Sequence, residues 1–270
     1  MVLIYFQILI KMLSVVIRTK NEEKDLEFLL KNLTTRYQED IDEIIVIDNI
    51  STDNTKQVCE NYNVKYVPIE NFSYGGSANL GAEKAKNDVI VIFSAHSYPV
   101  SHDFFKLIIQ KFQNQTDLAG LRCIHYNRDY KLYIERKNAS DDYNGAGLMF
   151  ACSVFSRKVW KEFPFKQDII TYEDKEWTKR ALENGYKIEI VPSIFCYHIK
   201  RNRKQKQYRF KNDVIGGYQL FHTEYSFSKA IKVFFNEIRN LFAKSFLDFI
   251  YIFKRFFFMM RFLINKPKQF

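Results

Sequence analysis

Four short apolar runs alternate with helical patterns in the first hundred residues, and this alternation constrains the fold more than any other feature. The runs are Leu13–Ile17, Glu43–Ile47, Val64–Val67 and Val89–Phe93. Their apolar residues are mostly continuous, as is typical of parallel strands that are buried on both faces. The sequence therefore predicts an α/β fold whose mostly parallel sheet carries helices on both faces.

The spacing of apolar residues predicts helices between these strands and after the last of them. The predicted helices are 21–33, 54–62, 77–86 and 102–112. Farther along the chain, 118–133 has a strand-like pattern, 160–165 and 174–184 have helical patterns, and 188–191 and 194–197 are typical of strands. Ligand sites of such sheets lie beyond the carboxyl ends of the strands. The loops at these ends are 18–22, 48–53, 72–79 and 94–99.

Length and cysteine content narrow the class of protein. The chain has 270 residues, which is enough for one large domain with an appendage. Its four cysteines form no CxxC pair, which disfavours a zinc knuckle or a disulfide framework and favours a reducing compartment. Residues 1–11 are an apolar N-terminal extension, too short to span a bilayer and without the flanks of a signal peptide. This extension is either native or the product of an upstream start codon.

Positive charge is concentrated near the C-terminus. Residues 200–270 hold 16 Lys and Arg against 4 Asp and Glu, whereas the other residues hold 25 against 27. We expect a body at 12–222 and a basic, aromatic, amphipathic helical tail at 223–270. Lys254, Arg255 and Arg261 disfavour a spanning helix, so the tail is expected to lie on a membrane surface. Packing of the tail against the body is the alternative.

Several motifs, taken in order, resemble the family 2 glycosyltransferases of the GT-A fold. They are SVVIRTKNEE at 14–23, IIVIDNISTDNT at 44–55, a strand that ends in Ser94-Ala95-His96, and YEDKEW at 172–177. The resemblance runs from about residue 13 to residue 198. It implies a GT-A fold, Rossmann-like in its nucleotide-binding half, and a nucleotide-diphospho-sugar donor.

The resemblance also implies a set of donor-binding residues, with Asp48 on the base. Gly75 and Asn79, in NFSYGGSANLGAEKA, would let the backbone approach the donor closely, although Gly75-Gly76 could equally form a plain turn. Asp53 is better explained as an ordinary helix cap. The implied nucleotide-binding residues are Thr19, Asn21, Glu22, Asp48, Gly75, Asn79, Ser94 and His96.

Ser94-Ala95-His96 occupies the position of the family's metal-binding Asp-x-Asp, and the variant is similar to rhamnosyltransferases. Either His96 and His198 hold a divalent metal, or no metal is bound and cations replace it. Imidazole suits Mn²⁺ better than Mg²⁺. If no metal is bound, Arg201 and Arg203, flanked by Lys200 and Lys204, would pair with the diphosphate. The remaining alternative is that His96 is a hydrogen-bonded structural residue with no catalytic role.

Glu173 and Asp174 are the implied catalytic residues, with Asp174 as the general base. A carboxylate that takes the acceptor's hydroxyl proton contributes a factor of roughly 10²–10⁴. Attack opposite the leaving diphosphate inverts the anomeric configuration. Acidic residues at a helix N-terminus are also favoured by the helix dipole, and both explanations can hold together.

The segment NGAGLMFACSVFSRKVW at 144–160 resembles the strand on the acceptor side of the family's site and the helix that follows that strand. Gly145 and Gly147 would leave room for a substrate, and Trp160 and Trp177 would either stack on sugars or lie in the core. The QKQYRF segment lacks the Gln-x-x-Arg-Trp motif of processive synthases. The expectation is a transferase of single hexosyl or deoxyhexosyl units, acting on a lipid-linked acceptor in surface polysaccharide synthesis.

Location and partners follow from this expectation. The protein would be peripheral at the cytoplasmic face of the membrane and would bind no nucleic acid, since a nucleic-acid-binding signature is missing. The competing hypotheses are a degenerate nucleotide-sugar-binding or scaffold protein and a nucleic-acid binder suggested by the net charge of +10.

Overall fold

The computed structural model describes residues 13–197, 201–224 and 226–266. The chain divides into two compact units, one ending at Phe221 and the other beginning at His222. The first unit is an eight-stranded sheet with helices on both faces. This architecture confirms the predicted α/β class.

The sheet has the strand order β3-β2-β1-β4-β7-β6-β8-β5. The strands are β1 (Leu13–Thr19), β2 (Glu43–Asp48), β3 (Lys65–Pro68), β4 (Val89–Ser94), β5 (Ser97–Pro99), β6 (Leu118–Ile124), β7 (Cys152–Ser156) and β8 (Lys187–Tyr197). Neighbours from β3 to β4 pair in parallel, as do β6 and β8. Strand β7 runs antiparallel to both β4 and β6, and β5 runs antiparallel to β8. The parallel half therefore brings the carboxyl ends of β1, β2 and β4 to one edge.

Helices connect most of these strands. In the first unit they are α1 (Glu23–Arg36), α2 (Thr55–Asn61), α3 (Tyr74–Lys84), α4 (Phe104–Asn114), α5 (Asn127–Ile134), α6 (Arg157–Glu162), α7 (Glu173–Glu183) and α8 (Arg203–Phe221). Gly185, with a φ of +82°, follows α7 in the left-handed conformation expected near a helix end.

Two cores, one on each face, explain why the first strands are continuously apolar. Val15 and Ile17 of β1 pack with the leucines of α1 and with Phe104 of α4. Val16, between them, points to the other face and packs with Ala78 of α3. Successive side chains of a strand point to opposite faces, so a strand covered on both sides is apolar along most of its length.

One stretch differs from the prediction. Residues 118–133 do not form a single strand-like segment, because β6 ends at Ile124 and helix α5 follows. The Asp129 carboxylate accepts hydrogen bonds from the backbone N–H groups of His125 and Tyr126, at 3.1 and 3.0 Å. These bonds stabilise the start of α5. The two strands predicted at 188–191 and 194–197 are instead one strand, β8.

The second unit contains helix α9 (Phe227–Ile264), of 38 residues. None of its residues is buried. Among the described residues, no helix contains an apolar stretch long enough to span a bilayer.

Candidate active site

A cavity of about 440 Å³ lies at the carboxyl ends of β1 and β4. It brings together Ser94 and His96 after β4, Arg18 from β1, and Glu173 and Asp174 at the start of α7. Residues more than 150 positions apart in sequence thus meet at one site. The remaining lining residues come from α3, β6, α5, α7, β8 and α8, and from the segments that precede α5, β7, α7 and α8.

The Asp174 carboxylate is held in place by two backbone N–H groups. Oδ2 accepts a hydrogen bond from Phe150 at 3.0 Å, and Oδ1 accepts one from Lys175 at 2.8 Å. Tyr172, just before α7, adopts a left-handed conformation with a φ of 70°. A carboxylate oxygen has two acceptor positions, so each Asp174 oxygen keeps one for a substrate.

Arg18 connects the parts of this site. Its Nη2 donates to the Phe150 carbonyl at 2.8 Å, and its Nη1 lies 3.5 Å from Glu173 Oε1. Its guanidinium carbon lies 5.7 Å from the centroid of the Tyr74 ring and 5.2 Å from that of the Phe150 ring. The backbone of Phe150 is therefore held by Arg18 at its carbonyl oxygen and by Asp174 at its N–H.

Burial perturbs two titratable groups beside Asp174. Desolvation, and then the neighbouring Asp174 carboxylate, raise the pKa of Glu173 to about 7, although Arg18 opposes this shift. Desolvation lowers the pKa of Lys175 to about 8. Strongly shifted acids and bases of this kind cluster at functional sites.

His96 is oriented by an acidic partner. Its Nδ1 lies 2.8 Å from Glu22 Oε1, which leaves Nε2 for another contact. A carboxylate that orients a histidine is also common behind metal ligands. Within the described residues, however, no three His, Cys, Asp or Glu side chains cluster as a metal site. Of the two expected metal ligands, His96 lies within the described residues, whereas His198, like Lys200, lies outside them.

The implied nucleotide-binding loops are tied to each other. Asn21, with a φ of 53°, accepts a hydrogen bond from the Thr52 N–H at 2.7 Å. Asp48 is buried and accepts hydrogen bonds from Ser51 and from the Tyr66 hydroxyl. Its side chain thus fixes the loop after β2, and its expected contact with a base stays a prediction. Thr19 Oγ1 is buried and has no hydrogen-bond partner among the described residues.

Asn79 makes its described hydrogen bonds within the protein, and its expected role beside the donor stays a prediction. Its Nδ2 donates to the Phe165 carbonyl at 2.8 Å, and its Oδ1 accepts from Trp160 Nε1 and the Phe165 N–H. These bonds join α3 to the loop after α6. Trp177 is fully buried and donates to the Phe163 carbonyl, so both tryptophans are structural.

The glycines also differ from expectation, because protein atoms fill the space beside them. A Cβ on Gly75 would lie 2.0 Å from the Lys166 carbonyl oxygen. A Cβ on Gly147 would lie 2.2 Å from the Tyr143 carbonyl oxygen. These two glycines permit close contacts within the protein rather than leaving room for a substrate.

The two arginines expected at the diphosphate are placed differently. Arg201 lines the cavity, and its Nη2 lies 3.3 Å from the Tyr197 hydroxyl. Arg203 begins α8, is exposed, and is not among the lining residues. Only Arg201 is therefore already at the cavity.

Four arginines of the cavity were missed from the sequence, namely Arg18, Arg122, Arg128 and Arg209. Arg18 and Arg122 each interrupt an apolar strand, and a charge inside a buried strand was a usable signal. Arg128, at the start of α5, gave no such signal because it lies in an ordinary polar stretch.

Comparisons with known proteins agree with this geometry. The family model described as glycosyl transferase family 2 matches residues 14–237. The chain is 26% identical over 221 residues to the dolichyl N-acetyl-alpha-D-glucosaminyl phosphate 3-beta-D-2,3-diacetamido-2,3-dideoxy-beta-D-glucuronosyltransferase of Methanococcus voltae, covering 72% of this chain and 68% of that protein. It is 23% identical over 209 residues to glycosyltransferase AglE of Haloferax volcanii, covering 70% and 67%.

Solved structures share the fold at lower identity. The mannosyltransferase PcManGT of Pyrobaculum calidifontis, in complex with GDP-Man and Mn²⁺, matches with a TM-score of 0.62 at 15% identity, over 80% of this chain and 65% of that one. Glucosyl-3-phosphoglycerate synthase of Mycobacterium tuberculosis, with Mn²⁺ and UDP-glucose, gives 0.61 at 15% identity, over 80% and 81%. Together with the match over residues 14–237, these likenesses show that the chain has the predicted GT-A fold and belongs to glycosyl transferase family 2.

Proposed function

We propose that the protein is an inverting glycosyltransferase that moves one hexosyl or deoxyhexosyl unit from a nucleotide-diphospho-sugar to a hydroxyl of a lipid-linked glycan. The observation that carries this proposal is the Asp174 carboxylate, anchored by the Phe150 N–H in the same cavity as Ser94 and His96. A base next to a donor site is the arrangement that a single displacement needs.

In this reaction the acceptor oxygen forms a bond to the anomeric carbon while the bond from that carbon to the diphosphate breaks. The electron pair leaves with the diphosphate, and Asp174 takes the acceptor's proton. The backbone bonds from Phe150 and Lys175 keep the carboxylate fixed during the transfer. Glu173 is buried beside Arg18, and its raised pKa keeps its carboxyl mostly protonated below neutral pH. It therefore adds no second full negative charge next to Asp174 at those pH values.

The leaving diphosphate requires positive charge. Arg201 supplies it at the cavity, and Arg203, at the start of α8, supplies more when the donor is bound. A bound divalent metal, with His96 as a ligand, would add neutralising charge at the same diphosphate. The nucleotide lies over the loops after β1 and β2, where Asn21 and Asp48 fix the backbone and the buried Thr19 hydroxyl lacks a described partner.

The lipid-linked acceptor is supported by α9 and by the relatives. Helix α9 is about 57 Å long at 1.5 Å per residue and carries seven Lys and Arg against two Asp and Glu. Its many exposed phenylalanines suit the headgroup region of a bilayer. The Methanococcus voltae relative is named for a dolichyl-linked acceptor. We therefore place this protein at the cytoplasmic membrane face, in the synthesis of a surface glycan.

A substitution at Asp174 tests the proposal. We expect Asp174→Asn to reduce transfer by roughly 10²–10⁴-fold, because the amide cannot take the acceptor's proton. Nucleotide affinity should be unchanged. The measurement is turnover of a panel of nucleotide-sugars, with and without EDTA, together with calorimetric binding of the matching nucleoside diphosphate.

Asp168→Asn is the matched control, since Asp168 is exposed on the loop before α7. It should leave turnover unchanged. An Asp174→Asn variant with wild-type turnover would remove the mechanism. Nucleotide binding by the wild type without any turnover would favour the degenerate binding protein instead.

A further inference from the structure

The cavity presents an excess of positive charge. Its lining contains two acids, Glu173 and Asp174, and six cationic side chains. The cations are Arg18, Arg122, Arg128, Lys175, Arg201 and Arg209. A donor diphosphate accounts for the charge near β4, but the cations extend beyond it to β6 and α5.

Some of these cations are fully engaged inside the protein. Arg122 donates from Nε and Nη2 to Asp129 and from Nη1 to the Gly147 carbonyl, and it is 6% exposed. Lys175 also donates to the Gly147 carbonyl. These side chains hold the loop before β7 and are poorly placed to bind a ligand.

Arg128 is different, because it is held in position and still exposed. Its Nη2 donates to Asp142 Oδ2 at 2.8 Å, and Asp142 Oδ1 accepts the Gly145 N–H at 2.8 Å. A Cβ on Gly145 would lie 2.1 Å from Nη2, so the guanidinium rests directly on the Gly145 backbone. The Arg128 side chain remains 64% exposed. A guanidinium carries five N–H donors, and this arrangement engages one of them among the described contacts.

The carboxylates that hold the exposed arginines lie behind them. Asp142 pairs with Arg128, and Asp213 pairs with Arg209, yet neither carboxylate is among the cavity-lining residues. The cavity therefore meets the cationic ends of these pairs. Such an orientation favours an anion over a neutral group.

The position of Arg128 separates it from the donor diphosphate. Helix α5 follows β6, which is two strands from β4 in the sheet, or about 10 Å at the usual strand spacing. Asp174, at the start of α7, accepts a hydrogen bond from Phe150 in the loop that leads into β7, and β7 is the strand between β4 and β6. Arg128 thus lies on the far side of the proposed base from the donor.

We propose that Arg128 binds an anionic group, a phosphate or a carboxylate, on the acceptor. This inference rests on the proposed function and specifies its acceptor class. The bound anion would place the acceptor so that its hydroxyl faces Asp174, and a neutral acceptor would lack this contact. Bidentate binding by a positioned guanidinium suits either anion.

The experiment uses the full-length chain saturated with whichever of UDP, GDP or dTDP it binds. Glycerol 3-phosphate, glycerate and uncharged glycerol are then titrated, with binding followed by ligand-observed NMR. We expect at least one of the two anions to bind and glycerol not to bind. Arg128→Gln should weaken that binding at least tenfold, and Arg128→Lys should weaken it less.

Lys131→Gln is the control. Lys131 is exposed about one turn farther along α5, and this substitution removes the same charge as Arg128→Gln. It should bind the anions as the wild type does. Equal binding of anions and glycerol, or equal anion binding by Arg128→Gln, would overturn the inference. So would a loss of nucleoside-diphosphate affinity in Arg128→Gln, because the anion recognised would then be the donor's. Failure of the wild type to bind any nucleotide would instead count against the proposed function, and circular dichroism checks that each variant is folded.

Discussion

At the scale of single residues, Glu173 links the site to stability. Its pKa of about 7 in the folded protein lies above the ordinary value of 4.5. The folded state then holds the proton more tightly, so the free energy of unfolding falls as pH rises between these two values. We expect Glu173→Gln to match the wild type at pH 4 and to exceed its stability at pH 8, by about 2–3 kcal/mol. Urea unfolding at both pH values measures this difference.

The exposed Glu70→Gln change is the control and should show no pH-dependent difference. A constant gap between Glu173→Gln and the wild type at both pH values would contradict the assignment. Lys175, whose pKa burial lowers to about 8, is present in both proteins, so its own titration contributes to both alike.

The sequence predicted which residues lie at the site better than it predicted which atoms each of their side chains contacts. Strand ends and the YEDKEW motif pointed to Ser94, His96, Glu173 and Asp174, which line one cavity. The role of Asn79 could not be predicted in the same way, because it bonds to Phe165, 86 positions away. Contacts of this kind depend on how α3 packs, and local sequence carries no signal for them.

At the scale of secondary structure, α3 depends on a glycine at its first turn. Gly75 approaches the Lys166 carbonyl so closely that any Cβ must displace the helix or the loop. We expect Gly75→Ala to destabilise the protein by about 1–3 kcal/mol, the usual cost of overpacking. Thermal unfolding by circular dichroism measures the loss.

Gly185→Asn is the matched control, because nothing lies within 4 Å of a Cβ there and asparagine tolerates the left-handed conformation. It should change stability by less than about 0.5 kcal/mol. Equal melting temperatures for Gly75→Ala and the wild type would show that the loop at Lys166 yields freely.

Strands were predictable from the sequence where they are buried on both faces, because such strands have nearly continuous apolar runs. That condition holds for β1, β2 and β4, and their predicted and observed bounds differ by at most two residues. It fails after β6, where an apolar pattern continues from the strand into α5. The break there is made by the Asp129 carboxylate, which accepts hydrogen bonds from the backbone N–H groups of His125 and Tyr126. This is a local helix cap that was not recognised from the sequence.

At the scale of the whole molecule, charge divides the chain into a nearly neutral body and a basic C-terminal part. Residues 200–270 hold 16 Lys and Arg against 4 Asp and Glu. If α9 binds anionic lipid, each cation near the surface contributes about 1 kcal/mol. We expect Lys254→Glu, Arg255→Glu and Arg261→Glu together to weaken binding to vesicles with anionic lipid by roughly 100-fold or more.

The matched control reverses three exposed lysines of the first unit, with Lys24→Glu, Lys31→Glu and Lys56→Glu giving the same change in net charge. Vesicle flotation of the full-length proteins, at low and high salt, separates the two sets. If α9 binds anionic lipid, the control variant should bind vesicles nearly as the wild type does. High salt should weaken binding of the wild type, because salt screens surface charges. Equal losses in both sets would show that net charge alone drives binding, and the placement of α9 on the membrane would then be wrong.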